Sequence, residues 1–427
     1  MRVARLIYPA IFVIAFATYV SRAAGAGKLS EPPEAGDGHD YDAIAYNIWK
    51  GQGYGYHWSD PEWRQPYLDH QRYRILLGRQ SDYYATTYRP PLLPYLLSIV
   101  YAVTDRSFAA WRILNCAIVA GAVTLAAALA AHFAGPWAAP LSALLTLQSP
   151  QLTRYSQMFM TEGLAAFLVA LLAWTWLPAS RKRWPLATAA GSGAVLGALM
   201  AARSLYVLWT PIALLMPSAD ERTGAGGPWR ARGICLLTCL VVIAPWWIRN
   251  IRVTDAFLPA GSQAGINLPA GFGPLAVRRH GMWGSNPGDG APELVAQGVN
   301  PFSTKFEAEL ARFRSAQTIR WMREHPSEVI RLMWLHVWQE TRPRGRGWWD
   351  YLLPLALVAA VIVRKSPGVG IVVLMVAANI LSVALTWGEG GRFMVPVLPL
   401  LVALVAAALV ELARRLAIRV PLARQGA

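Results

Sequence analysis

Charged side chains are scarce in this sequence. Only 15% of its 427 residues are charged, whereas 55% are hydrophobic, and the mean hydropathy is +0.32. Soluble domains usually carry about 25% charged residues and alternate apolar with polar positions. Here the apolar residues come in long uninterrupted runs, which is the pattern of helices that span a bilayer. The composition therefore excludes an ordinary soluble protein and predicts a polytopic membrane protein.

Cysteine is also rare, and its placement offers no disulfide framework. Cys116, Cys235 and Cys239 all lie inside apolar runs rather than in loops. Cys235 and Cys239 share one helix face with no histidine or third thiol nearby, which favours packing over metal binding. The sequence also has no internal repeat and no basic RNA-binding motif, so nucleic acid is not a predicted partner.

Basic residues outnumber acidic ones, giving a net charge of +16. Many arginines lie in short loops and at helix ends, which is typical of the cytoplasmic side of membrane proteins. The remainder fall in predicted outer loops, where they could serve a phosphorylated or polyanionic substrate.

The apolar runs predict about ten transmembrane helices with both termini in the cytoplasm. The first run, 6–20, is interpreted as a retained span rather than a signal peptide. The others fall near 111–133, 137–153, 162–178, 186–202, 204–217, 233–248, 348–363, 370–386 and 393–412. The basic loops 181–184, 222–232, 363–365 and 413–415 are then cytoplasmic, and 25–110, 154–161, residue 203, 249–346 and 387–392 are outside.

The fold class is thus all-α, with further helices predicted at the membrane surface. Residues 89–103 suit a juxtamembrane helix broken by proline, and 326–342 an amphipathic helix on the outer surface. We expect an N-terminal module, 1–253, that includes the outer loop 25–110. An outer loop, 254–346, and C-terminal helices, 347–427, would follow it.

Three aspartates, Asp37, Asp40 and Asp42, lie within six positions just beyond the first span. An aspartate can act as a general base toward an acceptor hydroxyl. The alternative is that Asp37 or Asp40 caps the short helix predicted over 41–49.

Arg89 follows at the start of an apolar helix, in TYRPPLLP. It is either an arginine that snorkels to the membrane interface or a fork that holds a phosphate or the acidic loop itself. Glu162 opens a later span, where Thr161 could cap the helix and the helix dipole favours an acid. An ionisable group at membrane depth is nevertheless a functional candidate.

The remaining candidates lie at the same predicted face of the membrane. Arg249 and Asn250 leave a span beside two tryptophans, where contact with lipid headgroups is the alternative. Arg203 lies between two spans, and Glu389 and Arg392 share a glycine-rich turn. A carboxylate base, a basic clamp and an anionic leaving group together could move a group from a phosphate carrier in the bilayer.

The order of the motifs YDAIAYNIWKGQGYGY, YRPPLLPYLL, MTEGLAAFL, PWWIRN and GEGGRFMVPVLPLL resembles that of bacterial GT-C glycosyltransferases. The most similar branch contains the protein O-mannosyltransferases and the aminoarabinose transferase of lipid A. The resemblance covers about residues 1–415. It implies a GT-C fold, a polyisoprenyl-phosphate sugar donor and an inverting transfer on the outer face.

The same resemblance suggests roles for individual residues. It implies that Asp37 is the base, with Asp40 as the reserve, and that Glu162 is the acid at the start of the later span. Arg89, Arg203, Arg249 and Arg392 would bind the donor phosphate. Apart from the resemblance, we expect Tyr41, Tyr88, Asn250 and Glu389 to line the donor and acceptor pocket. No metal site is predicted and no cofactor is required, although a divalent metal stays open as an addition.

The sequence therefore favours a glycosyltransferase of the plasma (inner) membrane with its active site on the periplasmic or extracytoplasmic face. Its partners would be a polyprenyl-phosphate sugar, a glycan, lipid or protein acceptor, and the bilayer. The alternatives are a transporter or flippase of a lipid-linked or anionic substrate, which usually shows inverted repeats, and a non-catalytic membrane scaffold.

Overall fold

The computed structural model describes residues 2–33, 36–177, 185–215, 227–284 and 291–419. The predicted cytoplasmic loop 181–184 and Arg222 lie outside these ranges. Helices dominate the described chain, as the all-α prediction required. The α-helices are α1 Arg2–Gly25, α2 Gly38–Trp49, α3 Pro61–Asp69, α4 Tyr73–Leu76, α5 Leu92–Thr104, α6 Phe108–Ala134, α7 Ala138–Leu147, α8 Pro150–Ser156, α9 Glu162–Trp176, α10 Pro185–Ala202, α11 Gly227–Thr254, α12 Gly261–Gly271, α13 Pro274–Arg278, α14 Ala291–Ala296, α15 Thr304–Glu324, α16 Pro326–Thr341, α17 Leu352–Ile362, α18 Val369–Ala384 and α19 Leu398–Arg419.

Short 3₁₀ helices and one small hairpin complete the architecture. The 3₁₀ helices span Ser204–Leu215, Gly347–Tyr351 and Arg392–Val397. The strands β1, Gly55–Tyr56, and β2, Tyr84–Ala85, pair antiparallel between α2 and α5. Within the span expected over 204–217, the described part, Ser204–Leu215, is a 3₁₀ helix, and Pro211 inside it removes a backbone donor that an α-helix would use.

Four of the described helices are long and apolar enough to cross a membrane by length and composition. They cover Leu6–Gly25, Phe108–Ala134, Trp229–Thr254 and Arg392–Ala417. Seven shorter apolar helices of 10–17 residues accompany them. A straight span needs about 20 apolar residues, so the count of ten spans stays a prediction.

Small side chains fill part of the core of the helical bundle, beside larger ones such as Trp176 and Trp209. Helix α6 packs against α1, α7, α9 and α19, and it buries a run of alanines between Ala120 and Ala130. Helix α10 approaches α11 so closely that a Cβ on Gly193 would lie 2.1 Å from the carbonyl oxygen of Cys235. Small residues at such contacts let membrane helices pack by van der Waals attraction. Cys235 and Cys239 are buried free thiols in this interface.

Two segments that the sequence predicts to lie outside the membrane, called the outer segments below, meet at one end of this bundle. The first runs from the end of α1 to α5 and contains α2 and the β-hairpin. The second contains α12 to α16, and its helix α12 packs against α15. Met282 forms an isolated β-bridge with Gly388 in the turn between α18 and α19. The second outer segment is therefore joined to this turn.

Candidate functional site

Asp37 occupies the N-cap position of α2 but does not cap the helix. Its side chain accepts no capping hydrogen bond, and Asp40 lies inside the first turn. Both carboxylates face Arg89 instead. The capping interpretation of these two aspartates is therefore wrong, because their oxygens accept from guanidinium groups rather than from free N–H groups.

Arg89 forks between the two aspartates. Its Nη2 lies 2.7 Å from Asp37 Oδ1, and its Nε and Nη2 lie 2.9 and 2.6 Å from Asp40 Oδ2. The guanidinium also lies over the ring of Tyr88, 4.8 Å from its centroid. Arg89 is only 6% exposed, so the snorkelling alternative is wrong and the fork that holds the acidic loop is confirmed.

Glu162 begins α9 and is completely buried. Its Oε1 lies 2.7 Å from Nη1 of Arg203 and is also bonded by Nε of Arg392. Thr161 stands at the N-cap without a capping bond, and its hydroxyl instead accepts from Arg203 at 3.3 Å. The predicted Thr161 cap is therefore wrong. The start of the helix is anchored by arginines from two other parts of the chain.

Arg392 joins the two halves of this network. Its Nη2 lies 2.7 Å from Asp37 Oδ2, its Nη1 lies 3.0 Å from Glu389, and its Nε binds Glu162. Every guanidinium nitrogen thus meets a different carboxylate. Such charge-assisted bonds are shorter and stronger than neutral ones.

The surrounding charges set the protonation state of the aspartates. Burial raises the pKa of Asp37, but the guanidinium groups of Arg89 and Arg392 outweigh it and hold this pKa at about 2. Burial acts in the same sense on Asp40, and Arg89, His39 and Arg79 bring its pKa well below the usual value. Both aspartates are therefore ionised at neutral pH.

A cavity of about 400 Å³ opens beside this network. Seven of the residues predicted from the sequence line it: Asp37, Tyr41, Tyr88, Arg89, Arg203, Glu389 and Arg392. One side is apolar and includes Leu205, Val207 and Leu208 from the 3₁₀ helix after Arg203. Apolar walls with a few convergent polar groups are typical of ligand pockets.

Four predicted site residues do not line the cavity. Asp40 and Glu162 lie behind the wall, where they bind the arginines. Arg249 donates to the backbone carbonyl oxygens of Thr86, at 2.5 Å, and Tyr54, at 2.7 Å. Asn250 is buried next to it and accepts a bond from it at 3.2 Å. These last two side chains support the segment that precedes Arg89 rather than face the cavity.

Several residues of the site were not predicted from the sequence. Gln263, Asn267 and Leu268 reach the cavity from α12, and Trp283 and Trp387 flank the Met282–Gly388 bridge. Asn267 donates to the hydroxyl of Tyr88 at 3.2 Å. Their sequence context gave a weak signal, because polar and aromatic residues are common throughout the outer loop.

The residues around the cavity do not fit a metal site. Within the described ranges no group of three or more His, Cys, Asp or Glu side chains could hold an ion. Both oxygens of Asp37 are engaged by guanidinium groups, which would compete with a cation.

Comparisons with known proteins agree with the motifs. Residues 88–248, which carry Arg89, Glu162 and Arg203, match the family model described as dolichyl-phosphate-mannose-protein mannosyltransferase. No curated protein matches the chain by sequence.

Solved structures of low sequence identity share the fold. The archaeal oligosaccharyltransferase AglB from Archaeoglobus fulgidus, in complex with an inhibitory peptide and a dolichol-phosphate, is 14% identical with a TM-score of 0.51; the match covers 98% of this chain and 52% of that one. An Archaeoglobus fulgidus oligosaccharyltransferase tethered to an acceptor peptide gives 14% identity, a TM-score of 0.53, and coverage of 96% and 50%. ArnT from Cupriavidus metallidurans bound to undecaprenyl phosphate matches more weakly, at 12% identity, a TM-score of 0.42, and coverage of 97% and 81%.

The chain therefore has a GT-C glycosyltransferase fold. The resemblance to this class is confirmed as far as the comparisons reach: the mannosyltransferase model matches residues 88–248, and AglB shares the fold. The chain spans about half the length of these oligosaccharyltransferase structures.

Proposed function

We propose that this protein is a membrane glycosyltransferase that uses a polyprenyl-phosphate-linked sugar. It transfers the sugar to an acceptor hydroxyl on the outer face of the plasma membrane, with inversion at the sugar carbon and Asp37 as general base. The observation that carries the proposal is the position of Asp37 on the cavity wall between the guanidinium groups of Arg89 and Arg392. The matched mannosyltransferase model and the AglB fold, seen with a dolichol-phosphate, support the same kind of donor.

Arginines of the cavity wall are suited to the phosphate of the donor. Arg89 uses Nε and Nη2 for its two aspartates, and Arg203 uses Nη1 to donate to both Glu162 and Thr161. The other nitrogens of each guanidinium can therefore serve an incoming anion. Positive groups aimed at the leaving phosphate stabilise the negative charge that develops there.

The transfer forms a bond from the acceptor oxygen to the sugar carbon and breaks the bond from that carbon to the phosphate oxygen. The acceptor proton passes to Asp37, and the charge of the broken bond stays on the polyprenyl phosphate. A carboxylate with a pKa of about 2 is a weak base. We infer that the donor phosphate draws a guanidinium away from Asp37, which raises this pKa as the complex forms.

The buried acids have a supporting role in this scheme. Asp40 and Glu162 do not line the cavity, so we assign them to holding the arginines in place. The outer loop 254–346 supplies the acceptor side, because α12 faces the cavity with Gln263 and Asn267. The acceptor is a hydroxyl of a glycan, a lipid or a protein.

The test is sugar transfer from a panel of radiolabelled polyprenyl-phosphate sugars, in membranes that contain wild type or Asp37→Asn. We expect transfer by wild type and none by Asp37→Asn, because the amide cannot take up a proton. Asp82→Asn is the matched control, since Asp82 is exposed in the same outer segment. Equal transfer by both proteins would remove Asp37 as the base, and a product with the donor's anomeric configuration would contradict inversion.

A further inference from the structure

Two buried carboxylates outside the cavity bind the backbone segments that carry Arg89 and Arg392. Glu307 lies in α15 and is 8% exposed, and Glu340 lies near the end of α16 and is 2% exposed. The donors bound to them are hydroxyl groups and backbone N–H groups. A buried charge is costly unless hydrogen bonds satisfy it, so each of these acids strongly favours the backbone geometry that supplies its donors.

Glu307 organises the segment that precedes Arg89. Its oxygens accept from the hydroxyl of Thr86 at 2.7 and 2.9 Å and from the N–H of Thr87 at 3.0 Å. The Thr86 oxygen in turn accepts from the N–H of Tyr88 at 3.0 Å. A continuous chain of hydrogen bonds therefore runs from α15 to the N–H of Tyr88, the residue before Arg89.

Glu307 also binds helix α12, on the opposite wall of the cavity. The hydroxyl of Ser262, in α12, lies 3.4 Å from Glu307 Oε2, and the Ser262 N–H donates to the carbonyl of Thr87 at 3.2 Å. Helix α12 carries Gln263 and Asn267 into the cavity. Glu307 thus ties together the two segments that carry Arg89 and the acceptor-side residues.

Glu340 has the corresponding contacts around Arg392. One of its oxygens accepts from the N–H of Glu389, and the other accepts from the N–H of Phe393 at 2.8 Å. These two donors lie on either side of Arg392 in the chain. Because both ends of the turn are held by one side chain, the direction in which Arg392 leaves the backbone is fixed.

The two arginines that Glu307 and Glu340 support both bind the carboxylate of Asp37. Arg89 and Arg392 each place Nη2 at 2.7 Å from a different oxygen of Asp37. We propose that Glu307 and Glu340 are positioning residues, which set the two guanidinium groups against Asp37 and so couple α15 and α16 to sugar transfer. The inference rests on the proposed function for its kinetic consequence, whereas the positioning itself is independent of the reaction.

The first test measures positioning without activity. In Glu307→Gln and Glu340→Gln an amide N–H₂ replaces one acceptor oxygen and faces backbone donors. By hydrogen–deuterium exchange of the purified protein we expect faster exchange at 86–89 and 261–263 in the first variant and at 388–393 in the second. Exchange equal to that of wild type, or loss of protection throughout the chain, would overturn the positioning role.

The second test measures the coupling to transfer. A displacement of about 1 Å at reacting groups can cost about 100-fold in rate, so we expect kcat to fall about 10- to 100-fold while the donor KM changes by less than about threefold. Glu309→Gln in α15 and Glu328→Gln in α16 are the matched controls, because both acids are partly exposed and each pairs with a basic residue of its own helix. Wild-type kcat in both test variants would overturn the coupling.

A pair of threonine variants covers the case in which a glutamine variant fails to fold. Thr86→Val removes the hydroxyl that links Glu307 to Tyr88, and Thr86→Ser keeps it. We expect Thr86→Val to lower kcat and Thr86→Ser to retain it; equal values would overturn the role of Glu307. Failure of wild type to transfer any sugar would reject the proposed function, while the exchange measurement would still decide the positioning.

Discussion

Arg392 is the residue at which the outer segments and the helical bundle meet. Three carboxylates from different parts of the chain each engage a separate nitrogen of its guanidinium group. A lysine would place a single point charge there and could not reproduce the fork. The charge alone is therefore insufficient for this position.

Arg392→Lys is expected to lower kcat/KM by about 10- to 100-fold, because each lost hydrogen bond between charged groups is worth about 1.5–3 kcal/mol. The measurement is initial-rate transfer with the preferred donor. Arg415→Lys serves as the control, since Arg415 pairs with Glu411 on an exposed face. Comparable rates in the two variants would contradict the assignment.

Glu307 predicts a pH dependence near neutrality. Burial raises its pKa to about 7, against the lowering effect of Thr86, Thr87 and Ser262. The charged and titratable groups near it are Arg249, Tyr84 and Tyr56. The carboxylate that accepts all these donors is lost as the pH falls through 7, so we expect kcat/KM of wild type to decline with an apparent pKa of about 7.

In Glu307→Gln we expect kcat/KM to stay at the lower value and to lose its decline as the pH falls through 7. The effect of rising pH on the stability of the protein is opposite to its effect on kcat/KM. The folded protein holds the Glu307 proton to a higher pH than the unfolded chain, so this group lowers stability as the pH rises from about 4.5 to 7. A decline that persists unchanged in Glu307→Gln would assign it to another group.

The sequence indicated which charged residues belong to the candidate site, but not which of them pair with one another. Asp37, Arg89, Glu162, Arg203 and Arg392 stood out because charge is rare in an apolar chain. Their pairing depends on side-chain direction, which spacing along the chain does not encode. Glu307 was missed because it lies in a helix rich in charge, where one more acid carries no signal.

At the scale of the elements, the cavity depends on the close approach of α12 to the segment before Arg89. Gly261 has φ +70°, and a Cβ there would lie 2.4 Å from the carbonyl oxygen of Thr87. The sequence did not predict this junction, since a glycine in a long loop has many ordinary explanations. Element positions were predictable from apolar runs, whereas the caps at Asp37 and Thr161 were not, because tertiary partners displaced local ones.

Gly261→Ala is expected to destabilise the protein and to reduce transfer, since it adds a steric clash to a left-handed backbone strain of about 1–2 kcal/mol. Gly298→Ala isolates the strain, because Gly298 has φ +80° and no atom within 4 Å of its Cβ position. Thermal unfolding in detergent and initial rates are the measurements. Equal losses in the two variants would show that the close approach is unimportant.

At the scale of the whole molecule, the orientation in the bilayer depends on α16. Its inward face carries Leu332, His336 and Glu340, and Ile330, Trp334 and Trp338 are exposed on the other side. Tryptophans at one face suit a helix at the membrane interface. If α16 crossed the bilayer instead, every later helix would be reversed.

Labelling of single cysteines tests this orientation. In a background with Cys116, Cys235 and Cys239 replaced by alanine, Asp82→Cys and Asn300→Cys should react with a membrane-impermeant maleimide on intact cells. Lys365→Cys should react only after permeabilisation. All three positions are exposed in the fold, so a reaction at 365 from outside would place α16 across the membrane.

The pairing of Asp37 with Arg392 joins residues 355 positions apart. During synthesis, the first outer segment and Glu162 are therefore made long before their arginine partner leaves the ribosome. Until the last helix inserts, these acids lack one of their counter-charges, and the nascent chain cannot hold its final form at this end. A chain that stops before residue 392 should be recognisable to membrane proteases as unfinished, even with most of its helices in place.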